Sequence, residues 1–283
     1  MNAMRARFWG TRGLVPAPGE AFQRYGGATL CAEVQSDSGA RLVFDLGTGS
    51  VGLGAHLLGE AAKGGSKRLG VILASTRVDH IQGLPFFAPA LMPGWDLTIM
   101  GPSLAGRDLT NILDGSLNPN YSPLFGVENL TPKLNLITLT EGELSWDGIR
   151  VVTRELPYGR ARSLGFRIEA DGAVLTLISD VEYGGAPTAA ALDLASESDV
   201  LIHDSMQSVA DVVLRRGPLP RAPDVEHAVR VAKDSLAKRL FLYHYDPDAT
   251  DSDLDQLVGS VRSIAGGVAV EAARQGETIE IKP

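Results

Sequence analysis

Four apolar runs in this sequence each stop on an ionisable residue, and that shared ending constrains the fold more than any single motif. VILASTRVDH reaches Asp79 and His80, AVLTLISD reaches Asp180, DVLIHD reaches Asp204, and RLFLYH reaches His244. Short runs rich in Val, Ile and Leu read as buried strands. In layered α/β sheets, ligands bind outside the carboxyl ends of strands, because there the strands release the chain into loops that converge on one rim. Asp79, His80, Asp180 and His244 are therefore expected to form one cluster. Two carboxylates and two imidazoles suit Zn²⁺, Mn²⁺ or Fe. One Asp at a strand end is usually a cap or turn residue, so the coincidence of four carries the reading.

The rest of the chain agrees with an α/β class. Strand-like runs open it (MRARFWG, TLCAEVQ, RLVFDLG), and the first helix signal is VGLGAHLLGEAAK. Val225, Ala228, Val229, Ala232 and Leu236 share one helical face, with Asp224 as N-cap. Leu254, Leu257, Val258, Val261 and Ile264 form a second stripe, capped by Thr250 or Asp251 and stopped by Gly266. The stretch 117–133 (LNPNYSPLFGVENLTPK) has three prolines and no period, which fits a functional lid or a packing excursion equally.

Composition narrows the function classes. With 283 residues, 44% hydrophobic and 21% charged, the chain can bury a large core as one or two domains. The net charge is −8 and no dense basic cluster occurs, which argues against a broad nucleic-acid footprint or an anionic membrane surface. A single phosphate in a pocket remains open. Cys31 is the sole cysteine, so no internal disulfide or cysteine-rich zinc site exists. The N-terminal run shows no apolar signal segment and no stretch is long enough to span a bilayer, so a cytoplasmic location is the default expectation. Neither a nucleophile elbow nor a phosphate-binding glycine loop follows a strand.

Read in order, FWGTRGLVPAPG, RYGGAT, FDLGTG, VDHIQGLPFF, SDVEYG, DVLIHD and LYHYDP resemble the metallo-β-lactamase fold superfamily, on the branch of tRNase Z and cyclic-nucleotide phosphodiesterases. The resemblance covers nearly the whole chain. It implies a single domain over 1–283, an α/β architecture in the αβ/βα arrangement: two mixed sheets face to face, helices outside, and a two-metal site at one edge. The family pattern H-x-H-x-D-H reads here Ser75-Thr76-Arg77-Val78-Asp79-His80, so both leading histidines are missing. Leu156 falls at or next to the third histidine, and the segment before the penultimate helix reads Arg221-Ala222-Pro223-Asp224. Asp180 matches the bridging aspartate and His244 the last histidine. The resemblance thus leaves the first metal site with Asp180 alone and the second with Asp79, His80, Asp180 and His244.

A missing dication beside carboxylates calls for a replacement cation, and Arg77 stands where a histidine ligand would project. Its guanidinium can fork onto Asp180 or Asp79, or swing out to solvent. Asp79, Asp180 and Arg77 are the candidate catalytic groups. Arg12, Arg160 and Arg162 are candidate phosphate-binding groups or solvated loop charges. His203 is expected in a structural hydrogen bond, and His56 and His227 on helices as surface or packing residues. The leading expectation is a degenerate, non-hydrolytic member with no metal or one divalent metal, Zn or Mn, and a regulatory role. Its partner would be a protein or a phosphate-bearing small molecule, and a homodimer is left open. The alternatives are a single-metal phosphodiesterase with Arg77 as phosphate clamp, and a scaffold unrelated to the old pocket.

Overall fold

The computed structural model describes residues 3–130, 133–158, 161–206 and 222–283, with backbone alone for 161, 162 and 222–224. MRARFWG forms β1 (Met4–Gly10), and its alternation sorts the side chains by face: Met4, Ala6 and Phe8 are buried, while Arg5, Arg7 and Trp9 project oppositely. β2 (Cys31–Gln35) pairs antiparallel with β1, and β3 (Arg41–Phe44) antiparallel with β2. β4 (Arg68–Ile72), β5 (Asp96–Pro102) and β6 (Lys133–Leu139) then add in parallel, and β14 (Thr278–Ile281) closes the far edge beside β1.

The second sheet repeats this plan. β7 (Gly142–Trp146), β8 (Ile149–Tyr158), β9 (Ala161–Ala170) and β10 (Ala173–Ile178) pair antiparallel in sequence, and β11 (Val200–Asp204), β12 (Arg239–Tyr243) and β13 (Ala269–Ala272) follow in parallel. Parallel neighbours need crossovers, and these put helices on the outer faces. α1 (Gly49–Ala61), α3 (Ala88–Leu91) and α4 (Leu109–Ser116) cover the first sheet, whereas α5 (Ala189–Ala195), α6 (Ala222–Asp234) and α7 (Asp251–Ile264) cover the second.

Between the sheets lies an aromatic core: Phe8 packs 5.9 Å from Phe241, and Phe44 packs 5.5 Å from Phe166. Truncating one such buried ring to alanine typically costs about 3–5 kcal/mol. Separate apolar cores lie under the helices of each outer face. The αβ/βα sandwich is the architecture expected from the sequence.

Three local expectations need adjustment. α6 ends at Asp234, so Leu236, with φ of 60°, leaves the helical face and is 70% exposed. Ile264 closes the α7 stripe half out in solvent, while Thr250 caps that helix in a capping box with Asp253. The side chain of Asp224 lies outside the described residues. In the stretch after α4, Leu117 and Leu130 are buried and Leu124 and Val127 pack against the outer core, which anchors the excursion to the body.

Candidate metal centre

The parallel strands of both sheets deliver their C-terminal ends to one rim. Asp45 follows β3, Asp79 and His80 lie in α2 (Val78–Ile81) after β4, Asp180 follows β10, Asp204 ends β11, and His244 follows β12. Asp45, Asp180 and His244 have φ of 65°, 54° and 60°, the left-handed region. Asp and His visit it more readily than most side chains, and three such residues around one centre turn the chain sharply where each strand ends. Glycine lets the loops close in. A Cβ on Gly13 would stand 2.6 Å from the His244 ring, which accounts for the second glycine of GTRG.

All four expected residues come together, wholly buried. His244 Nε2 is 3.0 Å from Asp79 Oδ2 and its Nδ1 3.0 Å from Asp204 Oδ2. His80 Nε2 is 3.3 Å from Asp180 Oδ2, and its Nδ1 lies 2.9 Å from Asp45 Oδ1 without the alignment of a hydrogen bond. The carboxylates are further tied to backbone: Leu14 N–H donates to Asp79 Oδ2, Ala74 N–H to Asp45 Oδ1, and Asp180 N–H to Asp204 Oδ2. Asp45 was missed as a site residue, although RLVFDLG is a fifth apolar run ending on a carboxylate. Asp204 ended one of the four runs, yet was left out of the cluster.

Burial alone would push the Asp79 carboxyl up, but His80 and His244 outweigh it and hold it far below the usual carboxylate range. Asp180 is likewise held down against burial by His80, His244 and Arg77. Burial would lower the two imidazoles. Instead Asp45, Asp180 and Asp79 raise His80 well above its ordinary value, and Asp204, Asp79 and Asp180 push His244 up to about 10. Without a metal, then, the surrounding carboxylates favour the protonated form of both imidazoles.

The donor set fits one dication. Asp79, His80 and His244 can turn ligand atoms toward a common point, as can Asp180, Asp204 and His244. Asp79 Oδ1, both oxygens of Asp180 and Nε2 of His80 are buried without a hydrogen-bond partner, which is the condition a cation would relieve. Other positions weighed from the sequence bring no further ligand among the described residues. Ser75 and Leu156 bring no imidazole, and Leu156 is turned into the outer core beside Leu194. Arg77 lies close: its Nε stands 3.7 Å from both Asp79 Oδ1 and Asp180 Oδ2, and its guanidinium lies 4.9 Å over the Tyr158 ring. It faces the carboxylates without forking onto either by hydrogen bonds.

Arg12 needs correction as a phosphate-binding candidate. Its side chain has no exposed surface, and it donates to the carbonyls of Gly26, Asp246 and Ala249, so it straps three loops together from inside. Arg160, the Arg162 side chain and Arg221 lie outside the described residues. His203 donates through Nδ1 to the Asp204 carbonyl and accepts from Tyr183 through Nε2, and burial holds its pKa down. His56 sits on α1 against Trp9 and Glu60, and His227 on α6 beside Tyr183.

No family profile and no curated protein sequence matches the chain. Solved structures do. The metallo-beta-lactamase fold protein YhfI from Bacillus subtilis superposes with a TM-score of 0.65 at 17% identity, covering 99% of this chain and 100% of its own. A diphosphatase from the PhnP family gives 0.66 at 14% identity over 99% and 98% of the two chains. The short form of human tRNase Z gives 0.59 at 19% identity over 99% and 100%. The chain therefore has the metallo-β-lactamase fold.

Proposed function

We propose that this metallo-β-lactamase-fold chain has lost two-metal hydrolysis and acts as a non-hydrolytic regulatory protein that binds a partner or a phosphate-bearing ligand. The observation that carries this reading is the position of Arg77. A guanidinium 3.7 Å from both Asp79 and Asp180 takes the charge-compensating place of a dication. In the remaining place, Asp79, His80, Asp180 and His244 would hold at most one ion. Such an ion would polarise an oxyanion and lower the pKa of a bound water. The protein's own residues do the rest: Asp204 and Asp45 contact the two imidazoles, and Arg77 brings its guanidinium to the two carboxylates.

A second reading, a single-metal phosphodiesterase, is supported by the unpartnered buried oxygens of Asp180 and Asp79. One preparation separates the two. Protein dialysed against Zn²⁺ or Mn²⁺ is assayed for bound metal and for turnover of bis-p-nitrophenyl phosphate and cyclic nucleotides. We expect no more than one equivalent of metal and negligible turnover. Two tight equivalents overturn the site assignment, and robust turnover abolished by Asp180→Ala establishes the phosphodiesterase.

A further inference from the structure

On the outer face of the first sheet, well away from the metal centre, a cavity of about 180 Å³ opens between the strands and α1. Its charged lining is Arg5 and Arg7 of β1, Arg41 of β3, Glu33 of β2, and His56 and Glu60 of α1. The ladder register explains why they meet. Arg7 pairs with Glu33 and Arg5 with Gln35, which in turn pairs with Arg41, so alternate residues of three adjacent strands present one face.

Both carboxylates there are already committed. Glu33 lies 2.6 Å from Arg41 Nε and accepts from Trp9 Nε1, and Glu60 lies 2.8 Å from Arg41 Nη1 and 3.4 Å from His56 Nε2. Arg41 therefore answers both acids, and Arg7 has none. Its guanidinium is stacked 4.0 Å over the Trp9 ring, and its Nε is buried with no acceptor. Across the ladder from Arg5 stands Glu280, whose carboxylate holds Lys282 at 2.7 Å. Three guanidinium groups face two carboxylates, so this cavity carries surplus positive charge in a chain of net charge −8. Gln35 and Thr278 add an amide and a hydroxyl to the lining.

We infer that this cavity is a binding site for a phosphate-type oxyanion, received by Arg7 with Arg5, Gln35 and Thr278 as further donors. A planar guanidinium pinned on an indole is preorganised: the side-chain entropy is already lost, and its free N–H edge matches phosphate geometry. The volume suits one tetrahedral anion and little more. An adjoining cavity of about 390 Å³ shares Gln35, Arg41 and Glu60, and would take the organic part of a phosphomonoester.

Trp9 makes the test direct. Chelator-treated full-length protein is titrated with inorganic phosphate and with glycerol 3-phosphate, following heat of binding and tryptophan fluorescence, with acetate as control. Saturable phosphate binding that Arg7→Gln weakens at least tenfold is expected, with acetate silent. Arg7→Lys should recover only part, because charge is kept and the fork lost. Trp9→Phe should remove the fluorescence change. Tighter binding of glycerol 3-phosphate than of inorganic phosphate would identify a monoester as the ligand, and equal binding the free anion. Circular dichroism and melting confirm that each variant is folded. Absence of saturable binding, binding indifferent to Arg7→Gln in folded protein, or an equal response to acetate overturns the inference.

Discussion

Raising the pH should destabilise the metal-free protein in a range where most proteins hardly respond. His244 is pushed up to about 10 by Asp204, Asp79 and Asp180, against an ordinary value near 6.5. The sign follows from proton binding. A group whose pKa rises on folding gives stability that is complete below the unfolded pKa and is lost as pH climbs toward the folded one. Between those values the folded state holds one proton that the unfolded state lacks, so stability falls by about 1.4 kcal/mol per pH unit. His80 is also raised, by Asp45, Asp180 and Asp79, which acts in the same direction.

The useful window is pH 7 to 8.5, below the range in which the buried thiol of Cys31 and the buried tyrosines contribute. Across it His244 alone removes about 2 kcal/mol. At an unfolding entropy of about 2.1 cal/mol/K per residue, a chain of 283 residues loses roughly 3 °C or more in Tm. Differential scanning calorimetry in chelator, at constant ionic strength, reads this directly. A bound dication requires neutral imidazoles, so Zn²⁺-loaded protein should show little of the slope. A flat Tm over pH 7 to 8.5 in chelator, or the same slope in His244→Gln, would refute the assignment of both imidazoles as cations.

Arg77→Ala should lower the stability of chelated protein by about 1–2 kcal/mol in urea unfolding. That lies below the loss for a hydrogen-bonded buried pair, because the Nε contacts are 3.7 Å and the side chain is 23% exposed. Added Zn²⁺ should recover part of that loss in the variant, and parent-like melting without a metal shift would show that Arg77 carries no compensating role. Arg12→Met should cost more, about 2–4 kcal/mol, by stranding the carbonyls of Gly26, Asp246 and Ala249; a smaller change in thermal unfolding would mean that the strap is dispensable. Gly13→Val should disturb the His244 ring and weaken Zn²⁺ binding at least tenfold by isothermal titration, and unchanged affinity would place the ring elsewhere in the bound state.

The rim was legible because strand ends are written in one dimension. A short apolar run gives a strand, and the ionisable residue that stops it marks where the strand meets the rim, which located Asp79, His80, Asp180 and His244. Asp45 escaped because RLVFDLG was read as a strand without its terminal carboxylate being weighed, and Asp204 because DVLIHD, although read as a run ending on a carboxylate, was not carried into the cluster. Arg12 shows what such a reading lacks. Its neighbours Asp246 and Ala249 are more than 230 positions away in sequence, and whether a loop arginine faces solvent or fills a gap between loops is decided by those distant carbonyls. The Arg7 cavity was invisible for the same reason: basic residues on β1 and β3, separated by β2, became one face only after the register was set.

On the reading proposed above, the charge arrangement favours one dication over two at this centre. Asp45, Asp79, Asp180 and Asp204 place four carboxyl groups around the centre, and the Arg77 guanidinium stands 3.7 Å from Asp79 and from Asp180. Two imidazolium protons or one dication with neutral imidazoles bring the same positive charge, so the cluster passes between the two states without a net change. A second dication would break that balance. It would also have to approach Asp180 on the side where Arg77 already stands, and at 3.7 Å from the shared carboxylates the guanidinium repels it at short range in a site screened from water. On the reading proposed above, an arginine at position 77, where the resembled pattern carries a histidine, offers one ligand fewer and adds a positive charge in one step, which serine at position 75 does not.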